Sequence, residues 1–333
     1  QIQSLQEQGV PPERLTHLLA SLYDRVAQRV LELVEADLRE ENALPRADLS
    51  WAWVRVGSGG RQEMVLTSEQ QNALLYADPD DDAQAARAEA WFAELGRRVT
   101  AALETCGFPP SELVAGAPEY CMCLSAWKRQ FRTWIFEADD QTIPEAMRFF
   151  DLRGIYGEQA LVDELVEDVE DALNVQALDT ERHVLQMLAA HALKPRAALT
   201  LFERLKLPRT RDGADTYDLR ERGILPVVEA ARVLALDLRY FASSNTFDRL
   251  RHAANVLPEL HTTLEMAREG YRHLADLRLE HQLYLVEGGE PPDDDLDVYS
   301  LTKMQQRLLQ RAADAVADLQ DVLAERYNLR RKG

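Results

Sequence analysis

The chain has 333 residues with 57 acidic against 38 basic side chains, a formal charge of −19, and 46% hydrophobic content. That length can bury one large core or two, and an acidic surface repels a phosphate backbone, which sets nucleic acid aside as a partner. No run approaches the ~18 to 20 uninterrupted apolar residues of a membrane span, no signal peptide precedes the first helical pattern, and the three cysteines, Cys106, Cys121 and Cys123, suit a reducing compartment, so the expected location is cytoplasmic.

Pro11 and Pro12 open a long amphipathic pattern in which Leu15, Leu18, Leu19, Leu22, Val26, Val30, Leu33 and Val34 are spaced for one helical face. Two roles stay open for this helix: leading in from an upstream domain, as a chain that begins at Gln1 without methionine suggests, or packing on its own sheet. Cut free of an upstream domain it exposes apolar surface, which makes a homo-oligomer an expected possibility.

Trp51 to Val56 alternates and is rich in Val and Trp, so it predicts a strand, broken by a tight turn at Gly57, Ser58, Gly59 and Gly60. A second strand is predicted over Ala73 to Tyr76. Glycines directly after a strand let backbone N–H groups approach a phosphate, and Ser58 adds a hydroxyl, which makes the turn a candidate triphosphate cradle. Asp78 to Asp82 then reads as a solvated loop without EF-hand spacing.

Ala83 to Cys106 predicts a helix, ended by Gly107-Phe108-Pro109-Pro110. Cys121-x-Cys123 lacks the second pair that a zinc site needs and reads as ordinary buried thiols. Trp127 and Trp134, seven apart on one helical face, read as core. From Gly157 onward the strands are expected to stop, with helices over 158–175, 180–205, 224–241, 245–288 and 300–327, separated by Pro208 to Gly213 and by an acidic loop from Glu287 to Asp297. The seven histidines show no metal spacing, and no dense basic cluster precedes Arg330-Arg331-Lys332.

The stretch 51–76 resembles the nucleotidyltransferase family that sits beside CBS-pair or cyclic-nucleotide-binding domains and is related to the uridylyltransferase of the bacterial nitrogen signal protein PII. That family reads roughly GSxGRxE and then TDQDNAL; Gly57, Ser58, Gly60, Arg61 and Glu63 match the first part, and Gln70, Asn72, Ala73 and Leu74 match the second. Where the family has Asp-x-Asp, this chain has Glu69 and Gln71. Val114 to Ile135 resembles the family's MASNPxW segment and Trp-rich helix through Ala115, Pro118, Trp127 and Trp134, with Val114, Gly116, Ala117 and Tyr120 replacing Met, Ser, Asn and Trp. Arg148-Phe149-Phe150-Asp151-Leu152-Arg153 contains the family's FFDxR motif, and the likeness continues in Tyr217-Asp218-Leu219-Arg220, Gly223-Ile224-Leu225-Pro226, Ala230-Ala231-Arg232, Asn245-Thr246 with Arg249-Leu250, and Arg278 with His281-Gln282.

The resemblance implies an α+β fold, a polymerase-beta-like mixed sheet with flanking helices followed by an all-α bundle. It places N-terminal linker helices at 1–45, the nucleotidyltransferase-like domain at 46–156 and a helical acceptor-binding domain at 157–333. It further implies a nucleoside triphosphate with Mg²⁺ or Mn²⁺, attack of an acceptor hydroxyl on the α-phosphorus with release of pyrophosphate, and a small regulatory protein as acceptor in signal transduction. Carried over residue by residue, the nucleotide falls to Gly57, Ser58, Gly60 and Arg61, the catalytic set to Glu69, Gln71 and Asp151, and the metal to Glu69 and Asp151. Asp151 is expected on a strand between apolar neighbours; the alternative for it is an ion pair with Arg153 or Arg61. Gln71 is neutral and cannot accept a proton. Three functions therefore compete: a working nucleotidyltransferase with an altered metal site, a pseudoenzyme that binds nucleotide or couples an upstream sensor domain to a partner, and a helical scaffold.

Overall fold

The computed structural model describes residues 2–41, 44–45, 47–177, 183–194 and 216–329. They form two compact units, one made of residues 17–64 and 68–182, the other of 1–16, 65–67 and 183–333. The expected helix over 180–205 is described only in part. Pro208 to Gly213 and Arg330 to Lys332 lie outside the described residues.

The chain opens with α1 (Ile2–Glu7) and α2 (Pro12–Glu41). Proline suits the first turn of α2 because its missing N–H would be unpaired there in any case. The apolar set of α2 splits between two faces: Leu19, Ala27 and Leu31 are buried, while Leu18, Leu22, Val26 and Leu33 are exposed.

The sheet unit is built from β1 (Trp51–Arg55), the single turn α3 (Gly57–Gly60), β2 (Asn72–Tyr76), α4 (Asp82–Thr105), β3 (Cys121–Cys123), α5 (Leu124–Phe136), α6 (Ile143–Phe149), β4 (Arg153–Gly157) and α7 (Gln159–Ala177). Its strands lie in the order β3-β2-β1-β4. β1 runs antiparallel to both β2 and β4, and β2 runs parallel to β3, so the sheet is mixed. Trp53 faces Leu74 across the β1–β2 ladder and Arg55 faces Asn72. On that face Trp53 and Leu74 join Phe92, Leu95 and Val99 of α4 and Ala27 and Leu31 of α2 in one core, and burying a side chain of that size contributes about 1.5–3 kcal/mol.

Asp81 starts α4 by accepting from Gln84 N at 2.7 Å, and Gly107, at φ +92, follows its end. Trp127 and Trp134 are core residues, at 2% and 1% exposure, and Trp127 Nε1 donates to the Leu74 carbonyl. Cys121 and Cys123 are only half-buried and Cys106 is exposed. α7 packs on α5 and on β1 and so belongs with the sheet unit.

The helical unit contains α8 (His183–Ala192), β5 (Thr216–Asp218), α9 (Leu225–Asp237), α10 (Thr246–Val256), α11 (His261–Glu287), β6 (Asp295–Asp297) and α12 (Lys303–Arg326). Every residue of α9 from Pro226 to Leu236 is buried, with α8, α10 and α12 around it. Two expectations are corrected here. The run 245–288 is two helices, because Pro258 has no N–H to continue the ladder after Leu257. The half expected to lack strands holds a short antiparallel ribbon, in which Tyr217 of β5 faces Leu296 of β6. Among the described residues no helix is long and apolar enough to cross a membrane.

Candidate active site

The turn after β1 is the centre of the site. Gly57 takes φ +55, a left-handed value that glycine adopts without steric cost. Gly60 N then donates to Val56 O at 3.2 Å and Arg61 N to Gly57 O at 3.0 Å, closing one helical turn. Gly57, Ser58 and Gly59 open α3, where their N–H groups precede any acceptor within the helix. Three adjacent N–H groups in one turn form the kind of concavity that accepts an anion.

The glycines also have packing reasons. A Cβ on Gly60 would stand 1.8 Å from the Asp151 carbonyl oxygen, and one on Gly57 would stand 2.0 Å from Gln71 Oε1. The turn therefore lies directly against the backbone of Asp151 and under the side chain of Gln71. Gln71 itself is tied by its carbonyl, which accepts from Val56 N at 3.0 Å.

A buried charge network supports the turn. Arg61 donates from Nε to Glu63 Oε2 at 2.7 Å and from Nη1 to Asp151 Oδ2 at 2.6 Å. Asp151 is fully buried. It does not lie on a strand as expected: its N–H bonds to Arg148 O and that of Leu152 to Phe149 O, so the last turn of α6 carries on through it before β4 begins. A second cluster joins Arg55, Asp24 and Arg153. Arg55 Nε lies 3.1 Å from Asp24 Oδ1 and Arg153 Nη2 lies 2.8 Å from Asp24 Oδ2. Burial pulls the Arg55 pKa down to about 10, although Asp24 opposes the shift. Arg153 also donates to Gly59 O at 2.9 Å and to Gly60 O at 3.2 Å.

Glu69 and Gln71 both precede β2, Glu69 exposed and Gln71 half-buried. Between them Gln70 is buried and donates to Phe108 O at 2.7 Å. The structure thus brings Gly57 to Gln71, and Gly60 and Arg61 to Asp151; Glu69 joins neither group among the described residues. Asp151, the one buried carboxylate of the expected metal set, is engaged by a guanidinium, Gln71 is neutral, and Glu69 stands apart. Among the described residues no group of three or more His, Cys, Asp or Glu side chains could hold a metal ion. This donor set does not fit a two-metal centre.

Sequence reading missed Asp24 and the carbonyl contacts of Arg153. Arg55 was visible as a charge inside an otherwise apolar strand, whereas nothing in the helical pattern of α2 singles out Asp24. Arg278 and Gln282, which carry part of the family likeness, belong to a cluster in the helical unit together with Val65–Thr67. Gln282 of α11 is fully buried; it accepts from Leu66 N at 3.0 Å and donates to Thr67 Oγ1 at 3.0 Å and to Asp294 Oδ1 at 2.7 Å. Arg278 binds both oxygens of Asp294 at 2.7 Å. Burial acts to raise the Asp294 pKa, but the Arg278 hydrogen bonds and charge outweigh it and hold the carboxyl below its ordinary value.

Comparison with known families matches both parts of the chain. Residues 1–141 match the family described as "Putative nucleotidyltransferase DUF294", and residues 182–327 match the family described as "Putative nucleotidyltransferase substrate binding domain". No curated protein matches the chain.

Proposed function

Because residues 1–141 match the DUF294 family model and residues 182–327 that of its companion domain, we propose that the protein binds a nucleoside triphosphate at the Gly57–Gly60 turn and transfers its nucleotidyl group only slowly to a protein acceptor. The observation that carries the binding half is the glycine turn after β1, in which Gly57, Ser58 and Gly59 present the first N–H groups of α3. They orient a phosphate group by donating to its oxygens, and the half-buried Ser58 adds its hydroxyl. Arg61 supports the turn from below through Glu63 and Asp151 rather than touching the nucleotide.

The transfer half is slow because of what stands where the family has its second aspartate. Gln71 cannot hold a proton from an attacking hydroxyl, and its amide makes a weak ligand for a hard dication. In this reading the acceptor is a small regulatory protein, as the resemblance implies, and its attacking group a hydroxyl. The same neutral Gln71 favours a second reading, in which nucleotide occupancy itself is the signal and no transfer follows.

Calorimetry with ATP, UTP, GTP and CTP tests the first half. One triphosphate binds, and Ser58→Ala weakens it roughly tenfold, the scale of a hydrogen bond to a charged group. Labelled transfer into acceptors of a cell extract tests the second half. Absence of binding by all four triphosphates overturns the proposal, and fast wild-type transfer overturns the slow step.

A further inference from the structure

We propose that Asp24 of α2 is a positioning residue for the phosphate turn and acts through Arg153. The inference rests on the reading that the turn binds a triphosphate. Three of the four turn residues are glycines, which leave the backbone free to visit many conformations. The direction of the turn's N–H groups is therefore fixed by contacts from outside it. Arg153 supplies two of them, Nη2 to Gly59 O at 2.9 Å and Nε to Gly60 O at 3.2 Å. A guanidinium is planar, so orienting one edge orients the whole fork. Asp24 Oδ2 takes that same Nη2 at 2.8 Å and fixes the plane from the side away from the turn.

Asp24 is in turn held by a second guanidinium. Arg55 Nε lies 3.1 Å from Asp24 Oδ1, while Arg55 Nη2 donates to Tyr23 O at 3.2 Å and Nη1 contacts Met64 Sδ at 3.1 Å. Arg55 also reaches the turn, since a Cβ on Gly59 would come within 3.0 Å of its Cδ. Two cations share one carboxylate beneath the glycines. The anion keeps both in place.

The test uses the whole chain. Asp24→Asn keeps the shape and removes the charge, so Arg153 and Arg55 repel each other without a shared counter-ion. Arg153→Lys keeps the charge but replaces the fork by a point donor that cannot span two carbonyls. In the variant spectra the ¹H–¹⁵N resonances of Gly57, Gly59 and Gly60 shift in both cases, while circular dichroism stays that of a folded protein. Affinity for ATP or UTP falls about tenfold, Asp24→Glu restores part of it, and the double variant Asp24→Asn with Arg153→Lys loses no more than either single one, as expected for residues acting in series. Unshifted glycine resonances in folded Asp24→Asn overturn the inference, as does full additivity. If Asp24→Asn does not fold, Arg153→Lys and Asp24→Glu decide by the same resonances. Should the wild-type protein bind no triphosphate, the functional proposal fails by itself, and the resonance shifts still decide whether Asp24 governs the turn.

Discussion

The guanidinium of Arg61 lies 2.6 Å from the Asp151 carboxylate, and that carboxylate is fully buried. Breaking a buried pair from one side leaves the other charge without compensation, at a cost of about 3–5 kcal/mol. Arg61→Ala should lose stability on that scale in urea unfolding, since it leaves both Asp151 and Glu63 behind. Asp151→Asn should lose less, because Arg61 keeps Glu63 at 2.7 Å. Both losses should be the same with and without a metal chelator; a loss that appears only when divalent ions are removed would return Asp151 to metal binding.

The glycines of the turn should differ in how they fail. Gly60→Ala drives a methyl group to 1.8 Å from a backbone carbonyl oxygen, and the backbone must move, at a cost of about 1–3 kcal/mol or more. Gly57→Ala meets a movable side chain instead, Gln71 Oε1 at 2.0 Å, together with an unfavourable φ of +55. The φ contribution alone is about 1–2 kcal/mol. Combining Gly57→Ala with Gln71→Ala should recover the steric part and leave only the φ part, read as non-additivity of the two unfolding free energies.

Restoring the family's pair of aspartates should raise activity. Glu69→Asp with Gln71→Asp supplies the missing carboxylate, and labelled nucleotide transfer should increase by about a hundredfold or more, the usual scale of one electrostatic catalytic group. Wild-type transfer equal to that of the double variant would show that Gln71 is no handicap.

Acid sensitivity should trace to Asp294. Its carboxyl is held below the ordinary 3.8 despite burial, by the hydrogen bonds and charge of Arg278, with Gln282 and Arg220 assisting. A depressed folded value contributes stability that is complete above the unfolded pKa and is lost as pH falls through the folded one. The wild-type protein should therefore keep this contribution until the pH drops below about 4. Arg278→Ala leaves burial as the main influence, which raises the Asp294 pKa. Circular dichroism against pH should then show unfolding beginning at higher pH than in wild type, and coincident acid transitions would refute the assignment.

The elements visible in the sequence were those with a sustained period or a distinctive composition. The helical spacing of α4 reports burial on one face, whereas the strand from Ala52 to Val56 is buried on both and was legible by its Trp and Val content and the glycines that end it. Asp151 was misplaced because FFDLR looks like an apolar strand around one charge, while the last turn of α6 captures its N–H first. The ribbon of β5 and β6 is three residues long on each side with aspartates at its ends, too short to alternate legibly. At the site, the glycines announced a turn but not its supports. Asp24 and Arg153 are far apart in sequence and meet only in three dimensions, so no local pattern could join them.

Val65–Thr67 gives the gene an awkward layout. Three codons lying between those for the turn and those for Glu69 encode a piece of the helical unit, where Gln282 and Arg278 receive it. An exchange of residues 183–329 with a relative would leave that piece behind, and the buried amide of Gln282 would meet whatever tripeptide the recipient happened to carry. The two halves are thus poor modules for recombination, and drift at Leu66 or Thr67 is answerable to α11 as much as to the turn a few residues before it.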